Sequence, residues 1–239
     1  MDIKVLYEDS NILVIDKPSG IMVHGDGRTK EKTIVDWFIS NYPKSRGVGE
    51  LANDQKGNPI DRSGVVHRLD KETSGALILT KTEEAFENIK SQFQTNSIEK
   101  EYHAFVYGPV KLDSGTINRP IGRSSQNFRK WSAQRGARGE LREAITDYKV
   151  IVRSNKYSFV YAFPKTGRTH QIRVHFKAIN YPLVCDGLYA PKVPNNLGFK
   201  RLALHAYSIS FMDKRGEKIR VVAPYPEDFE RALEKLQSK

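Results

Sequence analysis

Short apolar runs separated by polar turns mark the start of the chain. Val5-Leu6-Tyr7 and Ile12-Leu13-Val14-Ile15 flank Glu8-Asp9-Ser10-Asn11, a spacing that predicts a hairpin. Lys17-Pro18-Ser19-Gly20 breaks the second strand. From Thr33 to Tyr42 the period changes to that of a helix, with Thr33 as cap and Ile34, Trp37 and Phe38 on one face. Residues 43–63 are polar, with several Gly and Pro, and read as an exposed loop. Ala76-Leu77-Ile78-Leu79 is a continuous apolar run and predicts a buried strand. Thr82 caps a second helix, with Glu83 and Glu84 at its positive end and Ala85, Phe86, Ile89 and Phe93 as its buried stripe.

Further strands are expected from Glu101 to Tyr107, from Ala144 to Val152 and from Tyr157 to Phe163, the last two as an antiparallel pair. Thr169 is the expected cap of a helix running to Asn180. Two more strands, Leu202 to Phe211 and Lys218 to Val222, precede a last helix opened by Pro226 and ending near Leu236. Strands dominate the middle and the connections are hairpin-like. The expected fold class is therefore α+β, a mixed, largely antiparallel sheet with flanking helices, not a regular βαβ alternation. No repeat, low-complexity segment or clear linker divides the chain, so residues 1–239 are expected to form a single domain.

Charge adds a partner to this picture. The chain has 39 Lys+Arg against 28 Asp+Glu, a net charge of +11, which favours a polyanion without saying which one. Cys185 is the only cysteine, cannot form an internal disulfide, and lies among Leu183, Val184 and Leu188 as a packed thiol would. The amino terminus has no signal-peptide pattern and no apolar run approaches membrane-spanning length. The expected protein is soluble and cytoplasmic, with no membrane and no obligate protein partner. Walker loops, dinucleotide fingerprints and Cys/His clusters are absent from the sequence, so no cofactor and no metal are expected.

Three segments carry candidate chemistry. His67-Arg68-Leu69-Asp70-Lys71-Glu72-Thr73-Ser74-Gly75 sets a carboxylate between bases, beside a turn and ahead of a rigid strand. Such a carboxylate can act as nucleophile or base; the plainer reading is a turn-former. Gly167-Arg168-Thr169-His170-Gln171-Ile172-Arg173 is a basic helix start, which alone suggests phosphate binding. Lys100-Glu101-Tyr102 opens a strand, where a tyrosine is commonly a half-buried core residue. From Arg119 to Glu143, seven Arg or Lys stand against two Glu, with Phe128 and Trp131 between them. Bases neutralise phosphates while aromatics stack on splayed nucleobases; a solvated charged hairpin is the bland alternative.

Together these segments resemble the motifs of the RluA-type pseudouridine synthases, which isomerise uridine in RNA. Lys17-Pro18-Ser19-Gly20-Ile21-Met22-Val23-His24 and Arg201-Leu202-Ala203-Leu204-His205-Ala206 extend the match, which runs from about residue 5 to 226. The resemblance implies the pseudouridine synthase fold and no cofactor, because the reaction rearranges atoms the substrate already has. It implies Asp70 as the catalytic carboxylate, steadied by Arg173, with Arg168 suited instead to RNA backbone. Tyr102 would lie against the target base, stacking on it and assisting removal of its ring proton, and Leu204 would be an apolar wall of the uracil pocket. The 17–24 segment would buttress the site. Arg68 would fill the gap left when the uridine flips out of the stack; a surface salt bridge is its plainer role. His67, Arg123, Arg129 and Lys130 complete the candidate RNA contacts, the last three in a region that the resemblance makes a loop closing on the RNA, expected to be mobile without ligand.

Sequence alone leaves two first steps open: attack of Asp70 on the anomeric carbon, or removal of the adjacent ribose proton to give a glycal. Many relatives carry a small amino-terminal RNA-binding domain, and this chain is expected to lack one. The run Ser63-Gly64-Val65-Val66-His67 looks most like the large-subunit ribosomal RNA enzymes, with transfer RNA, or both, as the alternative. Two other classes compete. A non-catalytic RNA chaperone would bind tightly without isomerisation. A metal-dependent hydrolase using Asp70 with His67 would lose activity to a chelator.

Overall fold

In the computed structural model the first apolar runs pair as their spacing predicts. β1 (Val5–Glu8) and β2 (Ile12–Lys17) form an antiparallel hairpin. Asp9 closes it, its Oδ1 accepting from the amides of Asn11 and Ile12 at 2.7 Å each. The structure describes residues 1–238 apart from 26, 28, 30, 54–56, 126, 128, 129, 135, 136 and 196. Helix α1 (Ile34–Asn41) starts at Thr33 in a capping box. Thr33 Oγ1 accepts from the Asp36 amide, and the Asp36 carboxylate accepts from the Thr33 amide. Its buried face holds Ile34, Val35, Phe38 and Ile39, with Trp37 only half-buried. The polar stretch expected as a loop contains a 3-10 turn at Pro43–Ser45 and a short hairpin, β3 (Ala52–Asn53) with β4 (Pro59–Ile60).

β5 (Ser74–Thr80) is buried along its whole length and pairs antiparallel with β2, from Ile12 opposite Thr80 to Lys17 opposite Gly75. Helix α2 (Glu83–Gln94) is capped by Thr82, whose Oγ1 accepts from the Ala85 amide. It buries Ala85, Phe86 and Ile89 as expected, and Gln92 as well. Gln92 is tolerated there because its amide group meets both backbone groups of Met212 at 2.8 Å.

The middle of the chain supplies β6 (Glu99–Tyr107), β7 (Ser114–Asn118), β8 (Ile121–Arg123), β9 (Trp131–Ser132), β10 (Arg138–Arg142), β11 (Ile145–Arg153) and β12 (Tyr157–Pro164). Strands β6, β12, β11 and β7 neighbour one another in that order, each pair antiparallel. The basic segment expected as a loop forms a separate sheet of its own, β10-β8-β9. Helix α3 (Gln171–Ala178) is shorter than expected and begins at His170, not Thr169. His170 is in the left-handed conformation at φ 57° and offers no side-chain cap. The cap's work falls to Gln171, whose Oε1 accepts from the Arg168 amide at 3.0 Å and the Thr166 hydroxyl at 2.7 Å.

β13 (Leu204–Met212) and β14 (Lys218–Val222) pair antiparallel, and α4 (Glu227–Gln237) ends the chain. The fold divides into two compact units. Met1–Glu99 with Ala206–Pro224 form the first; Lys100–His205 with Tyr225–Lys239 form the second. In the first unit β1, β2, β5 and β13 are successive neighbours and β14 pairs with β13. Ile12, Val14, Ala76, Ile78, Ile89 and Phe211 build its core. The second unit packs α3 against Ala104, Val160 and Leu183. It packs α4 against Phe105, Phe159 and Phe199. Cys185 is half-buried beside this second cluster. Among the described residues no helix is long and apolar enough to cross a membrane.

Candidate active site

Asp70 opens a turn in which the Thr73 amide donates to the Asp70 carbonyl at 3.0 Å, immediately before β5. The turn is held from one side by the Lys17–Ile21 segment. Lys17 is fully buried. Its Nζ donates to the carbonyls of Pro18 and Ile21 at 2.8 Å each and of Lys71 at 3.2 Å. A buried ammonium is tolerable only when so satisfied. The Gly20 amide reaches the same Lys71 carbonyl at 2.7 Å, and Ser19 Oγ donates to the Glu72 carbonyl at 2.7 Å. The buttressing role expected for this segment is thus visible as main-chain hydrogen bonds to the two residues after Asp70.

The other flank is fixed by side chains. Leu69 is buried. His67 Nε2 accepts from the Ile78 amide at 3.0 Å and its ring stacks on Phe93 at 4.7 Å, so the imidazole ties the segment to β5. Gly75 has φ +112°, and a Cβ there would fall 2.2 Å from the Ala206 carbonyl oxygen, so only glycine lets β5 and β13 approach. Asp70 itself is half-buried on this rigid seat. Arg68 is exposed, with Nη1 3.4 Å from His24 Nε2; His24 Nδ1 donates to the Gly25 carbonyl at 2.8 Å, which leaves Nε2 as an acceptor. All of these groups belong to the first unit.

The second unit carries Tyr102, Arg173 and Leu204. Helix α3 is locked by a chain of buried hydrogen bonds that its motif residues supply. Gln171 Nε2 donates to the Ile145 carbonyl and to Thr146 Oγ1, both at 3.0 Å. Thr146 Oγ1 donates to His175 Nδ1 at 2.9 Å, and His175 Nε2 donates to the Arg119 carbonyl at 3.0 Å. Burial pushes the His175 pKa down, which keeps the ring neutral and the chain intact. Arg173 is buried on this helix. Its Nε and Nη2 form a fork on the Asp186 carboxylate, 2.8 Å each, a pair that does not use Nη1. Asp186 is buried and also accepts from the amides of Leu188 and Tyr189 at 3.0 Å. The Tyr189 ring lies 5.1 Å from the guanidinium.

Tyr102 is half-buried on β6 opposite Ala162, and packs with buried Leu204 against the cluster that holds Ile172 and Phe176. The fold therefore gathers Tyr102, Leu204 and the Arg173 helix around one core. Two residues before Tyr102, burial lowers the Lys100 pKa to about 8; its Nζ has the Thr166 carbonyl at 3.4 Å. Arg168 donates from Nε to the Glu143 carbonyl at 3.0 Å. In the basic sheet the Arg123 guanidinium lies 4.2 Å over the Trp131 ring, and Arg123 stands directly across from Arg138. Like charges so placed repel and favour an anion. Lys130 lines a small cleft of about 160 Å³ with Ser124, Ser132 and Lys177. Arg129 and Phe128 lie outside the described residues.

Asp186 was not legible in the sequence. In Leu183-Val184-Cys185-Asp186-Gly187 an acid before glycine reads as an ordinary turn residue. Only the fold shows that it carries Arg173. The buried His103, bonded to half-buried Glu101 and Tyr225 and with its ring stacked on Tyr161 at 3.7 Å, was missed for the same reason.

Comparison with known proteins assigns the class. Residues 11–178 match the family model described as RNA pseudouridylate synthase. The chain therefore belongs to the RluA-type family of RNA pseudouridine synthases, isomerases that act on uridine in RNA. It is 36% identical over 236 residues to an uncharacterized RNA pseudouridine synthase of Synechocystis, covering 98% of this chain and 69% of the relative. It is 35% identical to the ribosomal large subunit pseudouridine synthase D of Xanthomonas campestris, covering 98% and 70%. The fold is similar to that of human RNA pseudouridylate synthase domain containing 1, with a TM-score of 0.74 at 22% identity, covering 100% of this chain and 96% of that one.

Proposed function

We propose that this chain is a cytoplasmic enzyme that converts specific uridines of large-subunit ribosomal RNA to pseudouridine, with Asp70 as the catalytic carboxylate. The observation that carries the assignment of Asp70 is its seat: a turn fastened through Lys17, Ser19 and Gly20 on one flank and His67 and Leu69 on the other. Proteins hold a group this firmly where its direction matters. The ribosomal target is supported by relatives named for that RNA.

In the proposed reaction the bond from C1′ of the ribose to N1 of uracil breaks. The Asp70 carboxylate either bonds to C1′ or takes the neighbouring C2′ proton to leave a glycal. The freed uracil turns and C1′ bonds to its C5. The proton on C5 then leaves to a base, Tyr102 or a water, N1 takes up a proton, and Asp70 is regenerated. Arg173 serves Asp70 as its cation, Leu204 and Tyr102 serve the uracil, and Arg68 takes the place of the flipped uridine. His67, Arg168, Arg123, Arg129 and Lys130 serve the RNA strand.

Asp70→Asn keeps the shape and removes the charge. It is expected to abolish pseudouridine formation while RNA binding stays near the wild-type level. Formation at the native rate would remove Asp70 from the mechanism. Pseudouridine mapping in cells with and without the gene should lose a site in large-subunit ribosomal RNA; loss confined to transfer RNA would reassign the target.

A further inference from the structure

Among the described residues, Arg62 and Arg68 of the first unit form no ion pair with a carboxylate. Arg62 is half-buried, and its Nε is buried with no hydrogen-bond partner among the described residues. A guanidinium donor left this way is costly and rare. The acids within reach are engaged elsewhere. Glu50, the carboxylate that faces Arg62, pairs with Lys90 at 2.9 Å. Asp61, the residue before it, accepts from the Ser63 amide and hydroxyl and pairs with Arg46 at 3.5 Å. Among the described residues, Arg68 meets the lone pair of His24 Nε2, a neutral acceptor. Burial first, and then the charge of Arg68, pull the Arg62 pKa below the ordinary guanidinium value.

Among the described residues, the acids leave these two guanidinium groups without a carboxylate, which is a place for an anion from outside. We propose that Arg62 seats a phosphate of the RNA strand beside the target uridine, the positive charge of Arg68 nearby adding to its pull on the anion. This rests on the RNA substrate assigned above and deepens it. Arg68 leads the segment that ends at Asp70, so an anion held there fixes the strand next to the reacting nucleotide. The planar fork of Arg62 suits phosphate oxygens, and its orphaned Nε gains the acceptor it lacks. The seat reads backbone, not sequence.

The test compares the wild-type chain with Arg62→Met and Arg62→Lys on a fluorescently labelled, uridine-containing RNA stem-loop. Affinity is followed against potassium chloride, and thermal unfolding is measured without RNA. Arg62→Met should bind about tenfold more weakly, as loss of a charged hydrogen bond implies. Its plot of log affinity against log salt should be shallower by about 0.7–0.9, one phosphate's share. Its melting temperature should hold or rise, since an unpaired buried charge has been removed. An unchanged salt slope overturns the proposal. If Arg62→Met also melts early, Arg62→Lys decides: a retained slope supports the seat, and a lost one overturns it. A wild-type chain that makes no pseudouridine in any RNA, yet whose slope responds to Arg62, would sink the catalytic reading and leave the seat standing.

Discussion

Asp186 is a single buried acid whose effect on the proposed reaction would come through Arg173 and not by contact. It holds Arg173 through two 2.8 Å hydrogen bonds and is itself fixed by two backbone amides. Asp186→Asn should therefore lower kcat by about 10- to 100-fold by letting the guanidinium drift. Because it leaves a buried cation short of its partner, it should also cost about 3–5 kcal/mol of stability. Steady-state kinetics and urea titration read the two effects separately, and a normal kcat would reduce Asp186 to a scaffold residue. Lys100 offers a second test at this scale. Burial lowers its pKa to about 8, while an unfolded lysine keeps its proton to about 10.4. Between those values the unfolded chain binds more protons than the folded one, so stability should rise with pH across about 8 to 10. Lys100→Met should melt higher at neutral pH and lose that rise; denaturation midpoints from pH 7 to 10 check it.

Helix α3 carries its prediction in the chain from Gln171 through Thr146 and His175 to the Arg119 carbonyl. The folded His175 pKa is lowered, so as pH falls below about 6.5 the unfolded state takes up a proton that the folded state refuses. Stability from this group is present above that pH and lost below it. His175→Gln should flatten this acid limb of the stability profile, and an unchanged limb would place the titration elsewhere. Elements of this kind also show what the sequence could tell. β2, β5, α2 and the β11–β12 pair were readable because period, caps and apolar runs agreed. The start of α3 was not, because a side chain inside the helix replaced the cap. The three-stranded basic sheet was not either, since β10 is exposed at every position and carries no apolar alternation. Asp70, Tyr102 and Arg173 are proposed on motif resemblance. Asp186 and Arg62 required the fold, because the sequence does not show which partner a charged residue meets or lacks.

At the scale of the whole chain, neither unit is a continuous segment. The chain passes between them at Glu99 and Lys100 in β6, at His205 and Ala206 in β13, and again at Pro224 and Tyr225. Two of these three passages fall inside strands, where a flexible linker would be expected if the units were independent. We propose that they fold as the single domain expected from the sequence. β13 supplies Leu204 to the second unit's core and Ile209 and Phe211 to the first, so losing its order takes residues from both cores at once, which couples their unfolding. The two tryptophans make this measurable, since Trp37 lies in the first unit and Trp131 in the second. Trp37→Phe and Trp131→Phe each leave one fluorescent reporter. Urea titrations of the two variants, each followed also by far-ultraviolet circular dichroism, should give one midpoint by both probes. Two separated transitions, with each tryptophan reporting its own, would mean that the interleaved chain builds two domains.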